Sequence, residues 1–466
     1  MKALCIHGHF YQPHREDPIS DFIPDESGAE PYHNWNERIL DECYRPNAQL
    51  GNFGKISFNI GPTLFKWIEK VDSQTAGFIV SQENENYALH GVGNAMAQAY
   101  NHVILPLANK RDKTTQIRWG IADFEHRFGH KPSGMWLPET AVDMETLCTL
   151  SDCGIEFTLL APWQADGEEL DTQKPYLVEL PGERDPFPIF FYDRDLSTRV
   201  SFHPESTVNG DAFLASILEQ DNKSSGLTII ASDGELYGHH QPFRDRFLTY
   251  IVNEGAYRYN IELTYPGLWL RHNQVTDIVS LNEFTSWSCQ HGVLRWMGEC
   301  ACTPGAVWKA PMRWGLERLA EDIDGVYLQF ISQFMKKPWE LRDAYIKVML
   351  GEVSLDRLLS EFVTIPLDRN TIYEIGQLLD AQYERQRMFT SCGWYFDDFH
   401  RIEPQNNIAY AAKAVWLTKQ VTGVNLESRA LALLRKVRSQ KTGLRGDTVF
   451  SQTWIRAQDL QEEMAN

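Results

Sequence analysis

Gly134-Met135-Trp136-Leu137-Pro138-Glu139 is the stretch on which the reading of this chain turns. A short apolar run stops abruptly at a carboxylate. Pro138 biases Leu137 toward extended backbone, so the run reads as a strand and not a helix. The same proline ends the ladder, because it has no N–H to donate. Glu139 is therefore expected where a buried strand gives way to a loop. In α/β barrels that carboxyl edge is where catalytic groups gather. Alone, the stretch fits a solvated loop glutamate equally well.

Outward from it, the same pattern repeats. Strands are expected over 3–6, 55–60, 78–80, 156–160, 188–192, 227–231 and 277–281, and residues 14–54 read as a long loop. Helices are expected from Pro62, over 114–128 closed by Gly129, over 143–153 and over 244–254. Short strands alternating with helices are the pattern of parallel βαβ units. Most of the strands open, at the same end, into chemically able residues. These are His7-Gly8-His9-Phe10-Tyr11-Gln12-Pro13, Asp193-Arg194-Asp195, Ser232-Asp233-Gly234-Glu235 with His239-His240 beyond, and Glu283-Phe284-Thr285-Ser286-Trp287. At least seven such strands can be counted, and groups spread around one rim favour a closed or nearly closed barrel over a doubly wound sheet, which gathers them at one switch point.

Beyond Trp308 the period changes to 3.6, over 312–334, 344–349, 372–389, 409–422 and 428–439. The expected organisation is α/β: a barrel over 1–303, then an all-α helical domain over 304–466. Between two helices lies Thr390-Ser391-Cys392-Gly393-Trp394-Tyr395-Phe396-Asp397-Asp398-Phe399-His400, which reads either as a packed turn or as a lobe facing the barrel mouth.

The chain of 466 residues is 43% hydrophobic and 23% charged, ordinary for a globular protein. Its net charge of −19 argues against nucleic acid or an anionic membrane as partner. Its 14 Trp and 18 Tyr suit surfaces that grip sugar rings, although many must be core. Residues 1–6 are too short for a secretion leader, and the 8 scattered cysteines suit a reducing compartment; a cytoplasmic protein is expected.

Glu139 and Asp233 both close a strand, so a barrel brings them to one rim. A carboxylate pair flanking a glycosidic bond is what sugar transfer through an oxocarbenium-like state requires. Glu235 is a like-charge neighbour, able to raise the pKa of an acid beside it. Cys289-x-His291 and Cys300-x-Cys302 offer four soft donors, but zinc pairs usually span two to four residues. Reduced thiols, with no metal, are expected there.

The ordered set His9-Phe10-Tyr11-Gln12-Pro13, His102 through Pro106-Leu107, Trp136-Leu137-Pro138-Glu139 and Asp233-Gly234-Glu235-Leu236-Tyr237-Gly238 resembles glycoside hydrolase family 57. Asp193-Arg194-Asp195-Leu196-Ser197 also looks like a stretch of that family. Residues 303–313 and 390–407 resemble an uncharacterised helical domain found in one of its branches. The resemblance implies a seven-stranded (β/α) barrel and a retaining mechanism on α-linked glucans, of amylase, 4-α-glucanotransferase or branching type, without a cofactor. It implies Glu139 as nucleophile, Asp233 as general acid/base, and His9 and Gln12 as substrate contacts. Tyr11, His102, Trp136, Asp193, Arg194, Glu235, His239 and Trp287 complete the expected sugar-binding set. Two positions depart from the family pattern: Tyr11 replaces a common second histidine, and Asn94 a common glutamate. Two rival readings stay open. One is a metal-dependent carbohydrate hydrolase, deacetylase or α-mannosidase-like, on His7, His9, His102 and His239. The other is a glycan-binding barrel without activity.

Overall fold

The strand that organises the barrel is β1 (Lys2–Phe10), which runs parallel to neighbours on both sides. In the computed structural model, which describes residues 2–167, 170–219, 226–363 and 365–465, eight more strands follow. They are β2 (Ser57–Ile60), β3 (Ala97–Gln98), β4 (Met135–Trp136), β5 (Thr158–Leu160), β6 (Tyr176–Val178), β7 (Phe187–Phe191), β8 (Gly226–Asp233) and β9 (Ile261–Leu263).

Hydrogen bonding closes seven of these into a ring. β1 pairs with β2 from His7 to Phe10 and with β8 from Lys2 to His9. Phe58 bridges to Ala95, Ala97 pairs with Met135, and Gly134 bridges to Phe157. β5 pairs with β7, and the Asp193 N–H donates to Ile229 O at 2.7 Å, which returns the path to β8. The fold is a (β/α)7 barrel, with β6 and β9 as extensions on β7 and β1. Alternate side chains point inward. Cys5, Trp136, Leu159, Phe190, Leu227 and Ile229 fill the interior as one buried cluster.

The expected strand over 78–80 lies inside the helix Ser73–His90. Its buried residues Thr75, Ala76, Ile79 and Glu83 recur at helical spacing, Asp72 caps its start by accepting from Thr75 N–H, and Gly91 at φ 69° ends it. The expected strand over 277–281 yields only isolated bridges at Ile278 and Leu281, and the strand that pairs with β1 is β9. Ile278 is 61% exposed, so its apolar neighbours never mark a buried ladder. The loop expected over 14–54 contains helices Trp35–Ile39 and Arg45–Gln49 joined by a π-turn.

The chain divides into two compact units. The first comprises residues 1–14, 25–100 and 123–287, and holds the barrel; the second comprises 15–24, 101–122 and 288–466. Sequence alone places the boundary sixteen residues later, near Pro304, and gives no sign of the two early segments. The second unit is built on helices Lys309–Ile331, Arg369–Arg387, Ile402–Thr422 and Gly446–Ala465, the last not anticipated. At its centre Arg385 bridges buried Asp112 at 2.6 Å and Asp324 at 2.9 Å, and Arg342 reaches Asp112 at 3.0 Å. Among the described residues no helix is long and apolar enough to cross a membrane.

Candidate active site

Glu139 sits one turn past β4, in the 3₁₀ segment Pro138–Thr140. Its backbone is left-handed, φ 58° and ψ 20°, and Thr140 follows at φ 50°. For L residues that region costs roughly 1–2 kcal/mol each, and it persists only where neighbours hold it. Gln164 holds it here: its Nε2 donates to Thr140 O at 2.8 Å and its Oε1 accepts from Thr140 Oγ1 at 2.8 Å. Trp287 holds it from the other side. Its backbone N–H donates to Glu139 O at 3.0 Å and its indole Nε1–H donates to Glu139 Oε2 at 3.0 Å.

Asp233 is the last residue of β8, in register with His9 of β1. Its side chain keeps exposed surface while protein crowds it, the situation of a group in a cleft. That crowding first, and the negative charge of Glu139 second, raise its pKa to about 7. The two carboxylates thus feel each other directly. Glu235 is buried, and its pKa is raised to about 8 by burial first, against a lowering hydrogen bond from Tyr44 and with a further rise from Asp233. Glu235 Oε1 accepts from Tyr44 Oη at 2.7 Å and from the Tyr11 N–H at 3.0 Å, so it fastens the loop after β1.

The β1 histidines are buried and neutral, their pKa values lowered by burial to about 3 for His7 and about 4 for His9. Asn59 lies between them. Its Nδ2 donates to His9 Nδ1 at 2.9 Å, and His7 Nε2 donates to its Oδ1 at 3.2 Å. This assignment leaves the proton of His9 on Nε2. Tyr11 stacks on His9 at 5.8 Å, and Gln12 shares the Tyr44 hydroxyl.

Three expectations are corrected. Trp136 is fully buried, stacked on His7 at 4.8 Å and on His9 at 4.9 Å, so it is a platform beneath the site and not a sugar contact. Asn94, which the resemblance puts at a sugar-contacting position, is also buried and donates to Phe53 O and Ile56 O, so it clamps a loop instead. The histidines do not converge as a metal site. His7 and His9 are engaged by Ser57 and Asn59, and His239 Nδ1 pairs with Glu42 at 2.5 Å. His102 belongs to the second unit, with Nδ1 2.6 Å from Ser391 Oγ.

Of the other expected residues, Asp193 caps the helix Arg194–Phe202 by accepting from Leu196 N–H at 2.8 Å. Arg194 lies 5.8 Å over the ring of Trp163. Trp163, 39% exposed, is a candidate that sequence reading missed; its Nε1 donates to Ser286 O at 2.9 Å, and its ring meets Tyr192 edge-on at 6.0 Å. The signal was present: Ala161-Pro162-Trp163-Gln164 repeats after β5 the strand–proline pattern of Leu137-Pro138-Glu139-Thr140 after β4. A separate cavity of about 950 Å³ opens in the second unit beside Arg111, Asp112, Asp324 and Trp339, and contains neither carboxylate.

The model of glycosyl hydrolase family 57 matches residues 6–281, a range that includes both Glu139 and Asp233. The chain belongs to that family. A second model, a domain of unknown function termed DUF3536, matches residues 306–465. Curated relatives in sequence include an alpha-amylase of Pyrococcus horikoshii, 23% identical over 230 residues, and a 4-alpha-glucanotransferase of Thermococcus litoralis, 24% identical over 255 residues. These matches cover 47% and 53% of this chain but only 34% of each relative's own length. Among solved structures, an exo-type maltose-forming amylase from Pyrococcus sp. ST04 superposes with a TM-score of 0.75 at 16% identity, covering 97% of this chain and 88% of that one. A GH57-type branching enzyme from Pyrococcus horikoshii gives 0.63 at 14% identity, covering 98% and 94%. At such identities these two likenesses show a shared fold.

Proposed function

We propose that the protein cleaves or transfers α-linked glucans by a retaining double displacement. Glu139 attacks the anomeric carbon while Asp233 protonates the departing oxygen. The ester formed at Glu139 is then opened by water or by a sugar hydroxyl, with Asp233 returning as base. The observation that carries this reading is the placement of Glu139 just past β4 and Asp233 at the end of β8, on the same rim of a parallel ring, where the charge of Glu139 helps raise Asp233 to about 7. An acid with that pKa keeps its proton near neutrality. Once Glu139 is esterified its charge is gone, the pKa of Asp233 falls, and Asp233 stands ionised, in the form that can take the proton of the incoming water or sugar hydroxyl. The indole of Trp287, bonded to Glu139 Oε2 at 3.0 Å, orients the attacking carboxylate.

The printed activities of the relatives, alpha-amylase, 4-alpha-glucanotransferase and branching enzyme, all concern α-glucans and support that substrate class. His9, Tyr11, Gln12, Trp163, Arg194 and Trp287 are the residues we assign to sugar contact. Eight cysteines, none of them in a disulfide, suit a cytoplasmic setting. The test is incubation with amylose, maltooligosaccharides and α-galactosides, with products resolved by chain length and the first-formed anomer read by NMR. The α-anomer from an α-glucan is expected, with turnover abolished in Glu139→Gln and in Asp233→Asn. A β-anomer as first product, or undiminished turnover in either variant, overturns the assignment.

A further inference from the structure

We infer that Cys289, His291, Cys300 and Cys302 form a closed, structural zinc site in the second unit. Their four donor atoms all lie within 4.8 Å of one another. Cys289 Sγ is 3.6 Å from Cys300 Sγ and 3.9 Å from Cys302 Sγ, and His291 Nδ1 is 3.7 Å from Cys300 Sγ and 3.4 Å from Cys302 Sγ. A tetrahedral zinc with sulfur at about 2.3 Å and nitrogen at about 2.0 Å demands S···S edges of about 3.8 Å and S···N edges of about 3.5 Å. The four distances match those edges. The sulfurs are too far apart for a disulfide, and the set is too compact for an iron–sulfur cluster whose ligands spread over two metals.

The one-residue gaps that argued against a metal are overcome by turns. The Gly292 N–H donates to Cys289 O at 3.1 Å, with Gly292 at φ 72°, and the Thr303 N–H donates to Cys300 O at 2.9 Å. Each pair is folded back on itself, so ligands two apart face one point. Backbone amides already aim at the sulfurs: Cys302 N–H donates to Cys300 Sγ at 3.2 Å, and those of His291 and Arg295 point to Cys289. Such outer contacts orient and stabilise thiolate ligands.

Charge supplies an independent argument. Lys309 is fully buried and donates to Thr303 Oγ1 at 3.0 Å; the charged or ionisable groups it faces are Arg295, Cys289, Cys300 and Asp397. A buried ammonium needs negative charge nearby. Three thiolates and one neutral imidazole around Zn²⁺ carry a net charge of minus one, which joins Asp397 in facing the two cations Lys309 and Arg295. Cys289 and Cys300 are buried, Cys302 is half-buried and His291 is exposed, so the ion enters past the histidine. Four protein ligands leave no open position, which makes the site structural and not catalytic. It would pin a segment, 288–308, whose regular structure is one 3₁₀ turn at Leu294–Trp296.

The test uses the full chain, expressed in zinc-supplemented medium and purified under reducing conditions without chelator. Elemental analysis should return one zinc per chain. Exchange for Co²⁺ should bring up the sulfur-to-metal charge-transfer band and the intense visible bands of a tetrahedral thiolate site. Cys300→Ser should lose both the ion and the bands, and Cys148→Ser, outside the cluster, should keep them. If the Cys300→Ser chain does not fold, the wild-type cobalt spectrum decides alone. Substoichiometric metal after reconstitution, a cobalt spectrum without thiolate bands, iron in place of zinc, or a Cys289–Cys300 disulfide in the reduced preparation would each overturn the proposal.

Discussion

Replacing Trp287 by Phe tests the proposed site at its most specific contact. The substitution removes one hydrogen bond, from the indole Nε1–H to Glu139 Oε2 at 3.0 Å, and little else. The backbone bond from Trp287 N–H to Glu139 O survives, and a phenyl ring keeps most of the edge contacts to Trp136 at 5.0 Å and His9 at 6.1 Å. A hydrogen bond to a charged group contributes about 1.5–3 kcal/mol. Trp287 is only half-buried, so the lower half of that range applies. At 1.36 kcal/mol per decade, about 1.5–2 kcal/mol corresponds to a roughly 10- to 30-fold loss. The loss should fall on kcat more than on KM, because the bond orients the attacking carboxylate and leaves the ring available to the sugar. The assay is steady-state kinetics on a maltooligosaccharide, with circular dichroism and thermal unfolding as controls for the fold. A kcat within twofold of wild type, in a normally folded variant, would refute the claim that Trp287 positions the nucleophile.

Other outcomes follow from the same geometry. The kcat/KM of the wild type should fall as pH rises through about 7, because Asp233 must carry its proton to act as acid; a profile flat to pH 9 contradicts that role. Glu235 has a raised folded pKa, so its contribution to stability is full below the unfolded carboxylate range and lost as pH rises through about 8. Glu235→Gln, which keeps the acceptor for Tyr11 and Tyr44, should therefore unfold at higher urea than wild type at pH 9, with the gain shrinking as pH falls toward the ordinary carboxylate range. In the second unit, Arg385→Met should cost about 3 kcal/mol by urea unfolding, the low end for a broken buried pair, because Arg342 still faces Asp112 at 3.0 Å. Burial alone would raise the pKa of Asp112, but the charges of Arg385 and Arg342 outweigh it and hold it well below the usual range. Its share of stability is thus present at neutral pH and lost only as pH falls through that depressed value.

Much of the barrel was legible because proline writes its punctuation. Pro138 and Pro62 mark where a strand stops and where a helix starts, and both were placed from sequence. Glu139 and Asp233 were found because each ends an apolar run, which is a local signal. What failed was judged from runs too short to show a period. Phe78-Ile79-Val80 is apolar in any conformation, and only burial at Ala76, Ile79 and Glu83 reveals the helix. Trp136 was misjudged because strand position does not tell whether a ring faces the cleft or the barrel interior. The convergence of Cys289, His291, Cys300 and Cys302 within 4.8 Å was not legible from spacing, because two tight turns bring those donors together. The assignment of 15–24 and 101–122 to the helical unit depends on long-range contacts such as Arg385 with Asp112, which no local pattern encodes.

The left-handed backbone at Glu139 and Thr140 has a bearing on any effort to make this protein more heat-resistant. Glycine tolerates that region at little steric cost, so a screen that rewards only the melting temperature will be drawn to Glu139→Gly. A variant selected that way would have lost the side chain we propose as nucleophile, and selection at this corner must therefore score product formation alongside survival.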